Sequence, residues 1–550
     1  MLQITGVNRF RYLAYYKGAK IVSGLGVDLR AMHDEGKDFK EIPGIGKAMA
    51  DKIVEILETS QCAEHQRLLS TFKKGLLELL SIRGLGPKKV KKFYDELGVD
   101  DIFKLKAAAE SGELAALEGM GEKSQAEILK SIADHEKHRE RMLLHQATSI
   151  AEMMVAYMKD FEGVDRVDFA GSCRRGRATI GDVDILATGP DHASIIDHFV
   201  RHPQVETILA QGETKCSVLI DDAFQVDLRV VAPESFGAAL YYFTGSKDHN
   251  VHARKLAISK GWKLNEYGLY DGEKRIAGST ETEIFEALGL PFIPPEVRQD
   301  YGEFSEGIPP LLELQDIRGD LHVHTRWSDG RAEMEDMVAE AVRLGYEYIA
   351  LTDHSPSVRV AYGMSNEKLL DYIRAIDALQ KKVPHIKILK GSEVDILVDG
   401  SLDYPDELLA QLDLVNVSVH HRTNLSAAEQ TARVVKALAH PAVTILNHPT
   451  GRVVKKRESY AIDLVEVARA AAAHNVALEV NGSKRLDLNG TNIRVVKDHG
   501  VKFVVSTDSH DVPSLSNMKF GVKMARRGWL TADDVLNTRG LNDFMAFWGK

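Results

Sequence analysis

Two aspartates follow a glycine-serine step in the segment GSCRRGRATIGDVDIL, residues 171–186. Alternate side chains of a β-strand share a face, so Asp182 and Asp184 are predicted to lie on the same side of one strand. Two carboxylates this close repel each other unless a cation lies between them. Their hard oxygen atoms suit Mg²⁺ or Mn²⁺, ions that such sites often share with substrate phosphates. The spacing therefore predicts a divalent metal site.

A third carboxylate is expected on a neighbouring strand, and FQVDLRVV (224–231) supplies Asp227. Three carboxylates that hold two metal ions are suited to in-line attack on a phosphate. We therefore predict Asp182, Asp184 and Asp227 as catalytic residues and metal ligands. The Gly-Ser step would let the backbone approach a phosphate, and Arg175 would add a charge-assisted contact. Paired aspartates also occur on ordinary surface strands. The combination of the Gly-Ser step, the pair and a third aspartate on a later strand is therefore more specific than the pair alone.

A second group of potential ligands lies in the C-terminal third, where polar residues stand at the ends of seven predicted strands. Imidazole and carboxylate together suit Zn²⁺, Mn²⁺ or Fe²⁺. A single histidine at a strand end is more often structural, but nine ligands at matching ends exceed one tetrahedral site and fit two or three metals that share bridging groups. The nine are His322, His324, Asp329, His354, Glu393, His420, His448, Asp508 and His510.

Three glycine-rich segments recur in the N-terminal region: IPGIGKAMADKIVEIL (42–57), IRGLGPKKVKKFYDEL (82–97) and LEGMGEKSQAEILKSI (117–132). Each has an aliphatic residue, a Gly-x-Gly step and a predicted helix, whose first N–H groups are open to a phosphate. The pattern resembles the helix-hairpin-helix motif, which holds the DNA backbone without reading sequence. An ordinary turn in each segment, or a solenoid, is the alternative. The predicted DNA contacts are Gly44, Gly46, Gly84, Gly86, Lys88, Gly119 and Gly121.

The remaining elements predict a multidomain chain. Strands and helices mix from about residue 143, a smaller α+β segment follows, and five prolines in residues 291–313 suggest a linker. From residue 317 strands and helices alternate, which favours a β/α barrel. Active sites of such barrels lie at the strand ends. The predicted boundaries are 1–75, 76–142, 143–232, 233–295, a linker at 296–316, and 317–550.

The bulk composition limits the compartment and the partners. The chain has 550 residues and three cysteines, which favours a reducing cytoplasm without a disulfide framework. No apolar run approaches the ~18 residues of a membrane span. The net charge of −10 disfavours a general nucleic-acid binder, although the acidic excess lies beyond residue 142. We expect no membrane partner and a monomer.

The segment 171–186 resembles the nucleotidyltransferase signature of the family X DNA polymerases. YFTGSKDHN (242–250) with Arg254 resembles their nucleotide-binding turn, and LNEYGLY (264–270) their thumb. The resemblance implies an α/β palm and a small α+β thumb, with dNTPs and gapped or nicked DNA as partners. It assigns Gly171, Ser172, Arg175 and Gly181 to the triphosphate, Tyr242, Phe243 and Gly245 to the sugar and base, and Asn250 and Arg254 to the base or template. Lys247 departs from the acidic residue of the best-known animal relative.

The first hairpin unit, residues 1–75, resembles the lyase domain of the same family, and the second unit, residues 76–142, corresponds to the fingers. Lys52 then matches the Schiff-base lysine that removes a 5′-deoxyribose phosphate. Such a lysine requires a depressed pKa. A solvated lysine that contacts DNA is the alternative interpretation.

The C-terminal pattern resembles the PHP domain, a seven-stranded β/α barrel with a trinuclear metal centre. All nine ligand types of that family are present, which implies an active hydrolase with three divalent metals, Mn²⁺ or Zn²⁺. His421, next to His420, is expected to face away. Together the resemblances imply a bacterial or archaeal family X polymerase with a C-terminal PHP domain.

This architecture implies a gap-filling, template-directed DNA polymerase for base-excision and break repair. The PHP domain would be a Mn²⁺-dependent 3′→5′ exonuclease and a candidate abasic-site endonuclease or 3′-phosphatase. One alternative is a phosphoesterase that uses its polymerase half as a DNA-binding platform, which the intact palm aspartates disfavour. Another is a small-molecule phosphatase, which the three hairpin units disfavour.

Overall fold

A computed structural model describes residues 9–22, 29–34, 36–59, 61–71, 75–80, 82, 84–139, 141–221, 224–305 and 307–549. The internal contacts divide the chain into two compact units, Met1–Glu140 and Arg141–Lys550. Each unit is described by itself. Among the described helices, none is both long enough and apolar enough to span a membrane.

The described part of the first unit is helical and has two separate apolar cores. One core contains Phe39, Ile42, Ile45, Ala50 and Ile53, and the other surrounds Leu79, Val90, Phe93 and Leu105. Its α-helices are Arg9–Val22, Leu29–Asp34, Lys47–Thr59, Ala63–Thr71, Gly75–Leu79, Pro87–Leu97, Ile102–Glu110 and Glu122–Arg139.

The predicted Gly-x-Gly turns precede helices in all three segments. The first glycine of each step, Gly44, Gly84 or Gly119, has a φ between +74° and +89°, a conformation that only glycine adopts readily. The second glycine directly precedes a helix, which starts at Lys47, Pro87 or Glu122. The three segments therefore share one backbone geometry.

The second unit begins with a five-stranded mixed sheet that will be called the palm sheet. Its strand order is Arg166–Phe169, Val183–Thr188, Phe224–Val230, Lys215–Ile220 and Val205–Gln211. Helices Leu144–Lys159 and His192–Val200 contact it. Short strands Met142–Leu143 and Thr179–Ile180 pair beside it. The edge strand Val205–Gln211 was not predicted, because most of its side chains are exposed and it has no apolar run.

A small α+β layer follows the palm sheet. Helices Phe236–Thr244, Lys247–Ser259 and Glu281–Leu288 pack with a three-stranded sheet of Trp262–Asn265, Gly268–Asp271 and Lys274–Ala277. The proline-rich segment after it is packed. Arg298 is fully buried and its Nη1 donates to Glu281 at 2.6 Å, while buried Glu303 lies 2.9 Å from the His249 ring. These contacts tie Arg298 and Glu303, which lie in the segment that resembles a linker in sequence, to the folded unit.

Seven parallel strands form the C-terminal part. In order they are Gly319–Val323, Tyr348–Leu351, Lys387–Asp395, Leu414–Ser418, Ile445–Leu446, Ala477–Asn481 and Phe503–Ser506. A parallel bridge between Val323 and Ser509 joins the first strand to the segment after the last. The main helices around them are Met334–Arg343, Asn366–Lys382, Ala427–Leu438, Leu464–Ala473, Gly490–Val496 and Met518–Arg527. Helix Leu541–Ala546 packs on a core that includes Leu321, Tyr348 and Val504.

Candidate active sites

The three palm aspartates lie on two adjacent strands. Asp184 and Asp227 are direct partners in the parallel register, and Asp182 precedes the first of these strands. Asp227 is buried, and its Oδ1 accepts a hydrogen bond from Gln225 at 3.0 Å. Burial first, and then the charges of Asp182 and Asp227, raise the pKa of Asp184 to about 6. Mutual repulsion of this kind fits a site for divalent cations.

The Gly-Ser step lies directly against this carboxylate cluster. Gly171 begins the short helix Gly171–Arg174 with a φ of +66°, and a Cβ on it would lie 2.6 Å from Asp184 Oδ2. Arg175 caps this helix, and its Nη1 donates to the Thr244 carbonyl, next to Gly245. The structure therefore places the predicted triphosphate turn against Asp184 and places Gly245 beside Arg175.

Arg141 also lies at this site, although no sequence motif indicates it. Its Nε donates to Thr179 Oγ1 at 2.9 Å, and its Nη1 lies 3.2 Å from the place of a Cβ on Gly181. Burial and the charge of Arg177 lower its pKa. The strand pair that brings Arg141 here has only two residues on each side, so no sequence pattern predicts it.

The other predicted nucleotide contacts lie on the small α+β layer. The Arg229 guanidinium lies 4.4 Å from the centre of the Phe243 ring, and that ring packs edge-on against Tyr242. Asn250 Nδ2 donates to the Tyr242 carbonyl at 2.7 Å, and Arg254 Nε donates to the Asn250 carbonyl at 3.3 Å. These polar side chains are engaged within the layer, and their contacts with a base stay a prediction.

All nine predicted ligands of the barrel come together at the carboxyl ends of its strands. Seven of the nine form three overlapping groups whose ligand atoms lie within 4.8 Å of one another, with His324, His354 and Glu393 each shared by two groups. The groups are His324, Asp329, His354 and His510; His322, His324 and Glu393; and His354, Glu393 and His420. His448 Nε2 lies 2.9 Å from Glu393, and Asp508 Oδ1 lies 3.4 Å from His324 Nε2.

Several ring nitrogens of this cluster are buried without a hydrogen-bond partner among the described residues. They include both nitrogens of His324, Nδ1 of His354 and Nε2 of His420. A buried nitrogen with no partner is costly, so these atoms fit metal ligation. Although burial opposes its charge, the surrounding histidines hold the pKa of Glu393 well below its usual range. The three overlapping groups, two of which contain Glu393, would hold up to three divalent metals.

The comparisons with known proteins agree with this arrangement. Family models match a helix-hairpin-helix domain at residues 1–62, a SAM-like helix-hairpin-helix tandem at 76–134, a DNA polymerase beta thumb at 239–299 and a PHP domain at 320–483. The DNA polymerase/3′-5′ exonuclease PolX of Bacillus subtilis is 37% identical over 555 residues, which cover 99% of this chain and 96% of that protein. The chain belongs to the family X DNA polymerases.

Two further relatives match parts of this family X polymerase. DNA polymerase lambda of Rattus norvegicus is 30% identical over 334 residues, covering 53% of each chain. A probable phosphatase of Thermoanaerobacter sp. is 29% identical over 232 residues, covering 40% of this chain and 89% of the phosphatase. The predicted class of helix-hairpin-helix, thumb and PHP domains is confirmed, and both catalytic parts imply divalent metals.

Charged residues behind the nine ligands of the PHP domain hold several of those ligand residues in place. Glu479 Oε1 lies 2.7 Å from His322 Nδ1, and Asp395 accepts from the His420 backbone at 2.9 Å. Arg485 Nε donates to Asp508 Oδ2 at 3.1 Å. Such partners orient metal ligands. Of these supporting residues only Asp395 ends a strand, as a ligand would, whereas Glu479 lies in the middle of the strand Ala477–Asn481, so the strand-end pattern does not predict it.

Two basic residues after His448 donate hydrogen bonds to backbone carbonyls of the protein itself. Arg452 donates to the carbonyls of Arg485 and Leu486, and Lys455 donates to the Arg141 carbonyl. His421 lies outside the cluster, with its Nε2 3.0 Å from the Ser357 carbonyl.

The structure does not supply an activated Lys52 in this polymerase. Its Nζ lies 5.7 Å from the centre of the Tyr15 ring. Although burial acts the other way, interaction with Tyr15 raises the Lys52 pKa. A Schiff-base lysine needs the opposite shift, so the lyase assignment stays a prediction without electrostatic support.

Proposed function

We propose that this chain is a gap-filling, template-directed DNA polymerase whose PHP domain is a 3′→5′ exonuclease. One observation carries the proposal: two clusters with ligand sets for divalent metals lie in one chain, on a palm sheet and on a seven-stranded barrel. The printed activities of the Bacillus subtilis relative support it, because the match covers both proteins almost completely. The proposed pathway is repair of gaps left by base excision or strand breaks.

Different palm residues have different proposed roles in nucleotide addition. Two Mg²⁺ or Mn²⁺ ions held by Asp182, Asp184 and Asp227 would activate the primer hydroxyl and neutralise the triphosphate. The turn at Gly171 presents backbone to the phosphates, and Arg175 and Arg141 face them with positive charge. The remaining predicted contacts, Ser172, Gly181, Tyr242, Phe243, Gly245, Asn250 and Arg254, would position the nucleotide.

The PHP residues are suited to hydrolysis of a phosphodiester. Three Mn²⁺ or Zn²⁺ ions held by the nine ligands would supply Lewis-acid catalysis. Glu479 and Asp395 fix the orientation of His322 and His420, and Arg485 holds Asp508. Removal of 3′-phosphates is a second candidate activity, favoured by the match to a probable phosphatase. Cleavage at abasic sites is a third.

The free cysteines bear on the proposed cellular compartment. Cys62, Cys173 and Cys216 are free thiols, which supports a reducing cytoplasm. We propose a monomer, with DNA held through the three hairpin turns and Lys88.

A gapped duplex tests both activities at once. The full chain is incubated with Mn²⁺ and a one-nucleotide gap that carries a 5′-labelled primer, with and without dNTPs. A primer lengthened with dNTPs and shortened without them is expected. Shortening in both samples would instead favour a nuclease that uses the polymerase half as a platform, and an unchanged primer would contradict both activities.

A further inference from the structure

The helix Met518–Arg527, here called the interface helix, is fixed to the end of the barrel. Its residues Met518, Phe520, Val522, Met524 and Ala525 are buried. A Cβ on Gly521 would lie 2.6 Å from Val505 Cγ1, a side chain of the last strand. The helix cannot shift without disturbing the PHP barrel.

The other side of the interface helix contacts the palm. Lys519 Nζ lies 2.9 Å from the Glu152 carboxylate, and the Phe520 and His145 rings lie 4.0 Å apart between centres. Lys523 Nζ lies 5.8 Å from the centre of the Phe169 ring, at the end of the strand before the Gly-Ser step. The helix is therefore docked on the elements that carry the triphosphate turn.

The last residues of the interface helix reach the turn itself. A Cβ on Gly176 would lie 3.4 Å from Lys523 Cβ and 3.7 Å from Arg527 Cδ. Arg527 Nη1 donates to the Arg175 carbonyl at 2.6 Å. Arg175 is the C-cap of the helix Gly171–Arg174, so a hydrogen bond from a charged donor to its carbonyl fixes the end of the turn.

Arg527 also adds positive charge beside the triphosphate turn, where Arg175 and Arg177 already lie. Burial and the charges of Arg177 and Arg175 lower the pKa of Arg527 to about 10. Burial and Arg177 lower the pKa of Arg175 to about 10 as well. Like charges brought together in a partly buried site repel, and a bound polyanion relieves the repulsion. The predicted triphosphate is such a polyanion.

We propose that Arg527 of the PHP domain is a positioning residue for the incoming dNTP, because it holds the Arg175 carbonyl and with it the triphosphate turn. The inference rests on the proposed polymerase function. It makes the PHP domain part of the polymerase's nucleotide site, independently of the nuclease metals.

The test uses the full chain with Arg527→Ala on a one-nucleotide gap. KM for the complementary dNTP is expected to rise on the order of tenfold, the effect of losing a hydrogen bond with a charged donor. The kcat is expected to change much less, because the contact acts on nucleotide binding. Arg527→Lys, which keeps the charge, should give an intermediate KM. Exonuclease activity on single-stranded DNA should stay at the wild-type value.

Arg526→Ala is the matched control. Arg526 lies on the same helix, where it pairs with Glu296 at 3.3 Å and Glu313 at 2.6 Å. An equal rise of KM in this variant would show that only docking of the helix matters and would overturn the proposal.

Two further outcomes are decisive. A wild-type KM in Arg527→Ala overturns the inference. If Arg527→Ala does not fold, a raised KM in Arg527→Lys supports the inference and a wild-type KM overturns it. A wild-type protein that does not extend the primer would contradict the polymerase function instead, so the two failures are distinguishable.

Discussion

At the scale of single residues, Asp184 gives the palm a pH dependence. Burial and the neighbouring carboxylates raise its pKa to about 6, so a proton competes with the metal below that pH. The Mn²⁺ concentration for half-maximal primer extension is therefore expected to fall as the pH rises from 5 to 7 and to level off above 7. A titration of Mn²⁺ at each pH measures it. A half-saturating concentration that stays constant from pH 5 to 7 would contradict the prediction.

Arg485 offers a prediction for the nuclease site. Arg485→Ala removes the hydrogen bond to Asp508 Oδ2 and leaves that ligand less well oriented. The affinity for Mn²⁺, measured by the exonuclease rate against Mn²⁺ concentration, is expected to fall on the order of 10- to 100-fold. Primer extension should change little.

Arg469→Ala is the control for this variant, because Arg469 is an exposed arginine on the barrel helix Leu464–Ala473, outside the ligand cluster. Equal losses in the two variants would show that the effect is not specific to Asp508.

The sequence predicts which residues meet at each site better than it predicts what supports them. The nine barrel ligands could be found because parallel strands bring their carboxyl ends to one edge, whatever the loops between them do. The sequence does not reveal the three supporting arginines, because each acts through a contact with a separate segment of the chain. They are Arg141, Arg485 and Arg527. Their residue types alone are those of ordinary surface arginines.

At the scale of elements, the second hairpin gives a test of DNA contact. Lys88 is exposed at the start of helix Pro87–Leu97, beside the turn at Gly84. Lys88→Ala is expected to weaken binding to gapped DNA at low salt and to reduce the slope of log K against log salt by about 0.9, the value for one phosphate contact. Fluorescence anisotropy over a range of salt concentrations measures both.

Lys91→Ala is the matched control on the same helix. Lys91 Nζ already pairs with Asp95 at 2.7 Å, so its removal should leave the salt slope near the wild-type value. A change of slope in Lys91→Ala alone would contradict the assignment of the DNA-facing side.

Elements with a strong pattern were predicted well, and weakly patterned ones were not. The seven barrel strands have buried apolar residues that end in polar ones, and all seven exist. The edge strand Val205–Gln211 and the packed segment around Arg298 have no such pattern, because one is solvated and the other is held by an ion pair with Glu281. The predicted domain boundaries stay predictions.

At the scale of the whole molecule, two phosphate chemistries share one folded unit without sharing ligands. The palm cluster and the PHP cluster lie on different sheets, and the interface helix packs between the sheets that carry them. If both sites acted on the same primer end at equal rates, nucleotide addition and nucleotide removal would cancel. On the proposed function, the supply of dNTPs is expected to set the balance between the two activities, because only nucleotide addition consumes dNTPs.

Separate inactivation of the two sites tests this arrangement. Asp227→Asn removes a palm carboxylate but keeps its size, and extension is expected to fall by at least about a hundredfold while the exonuclease rate is unchanged. His324→Ala removes a ligand that two metal groups share, and the opposite pattern is expected. The 5′-labelled primer reports both rates in one gel. Loss of both activities in either variant, with an unchanged melting temperature, would contradict independent sites and would mean that one metal cluster serves both reactions.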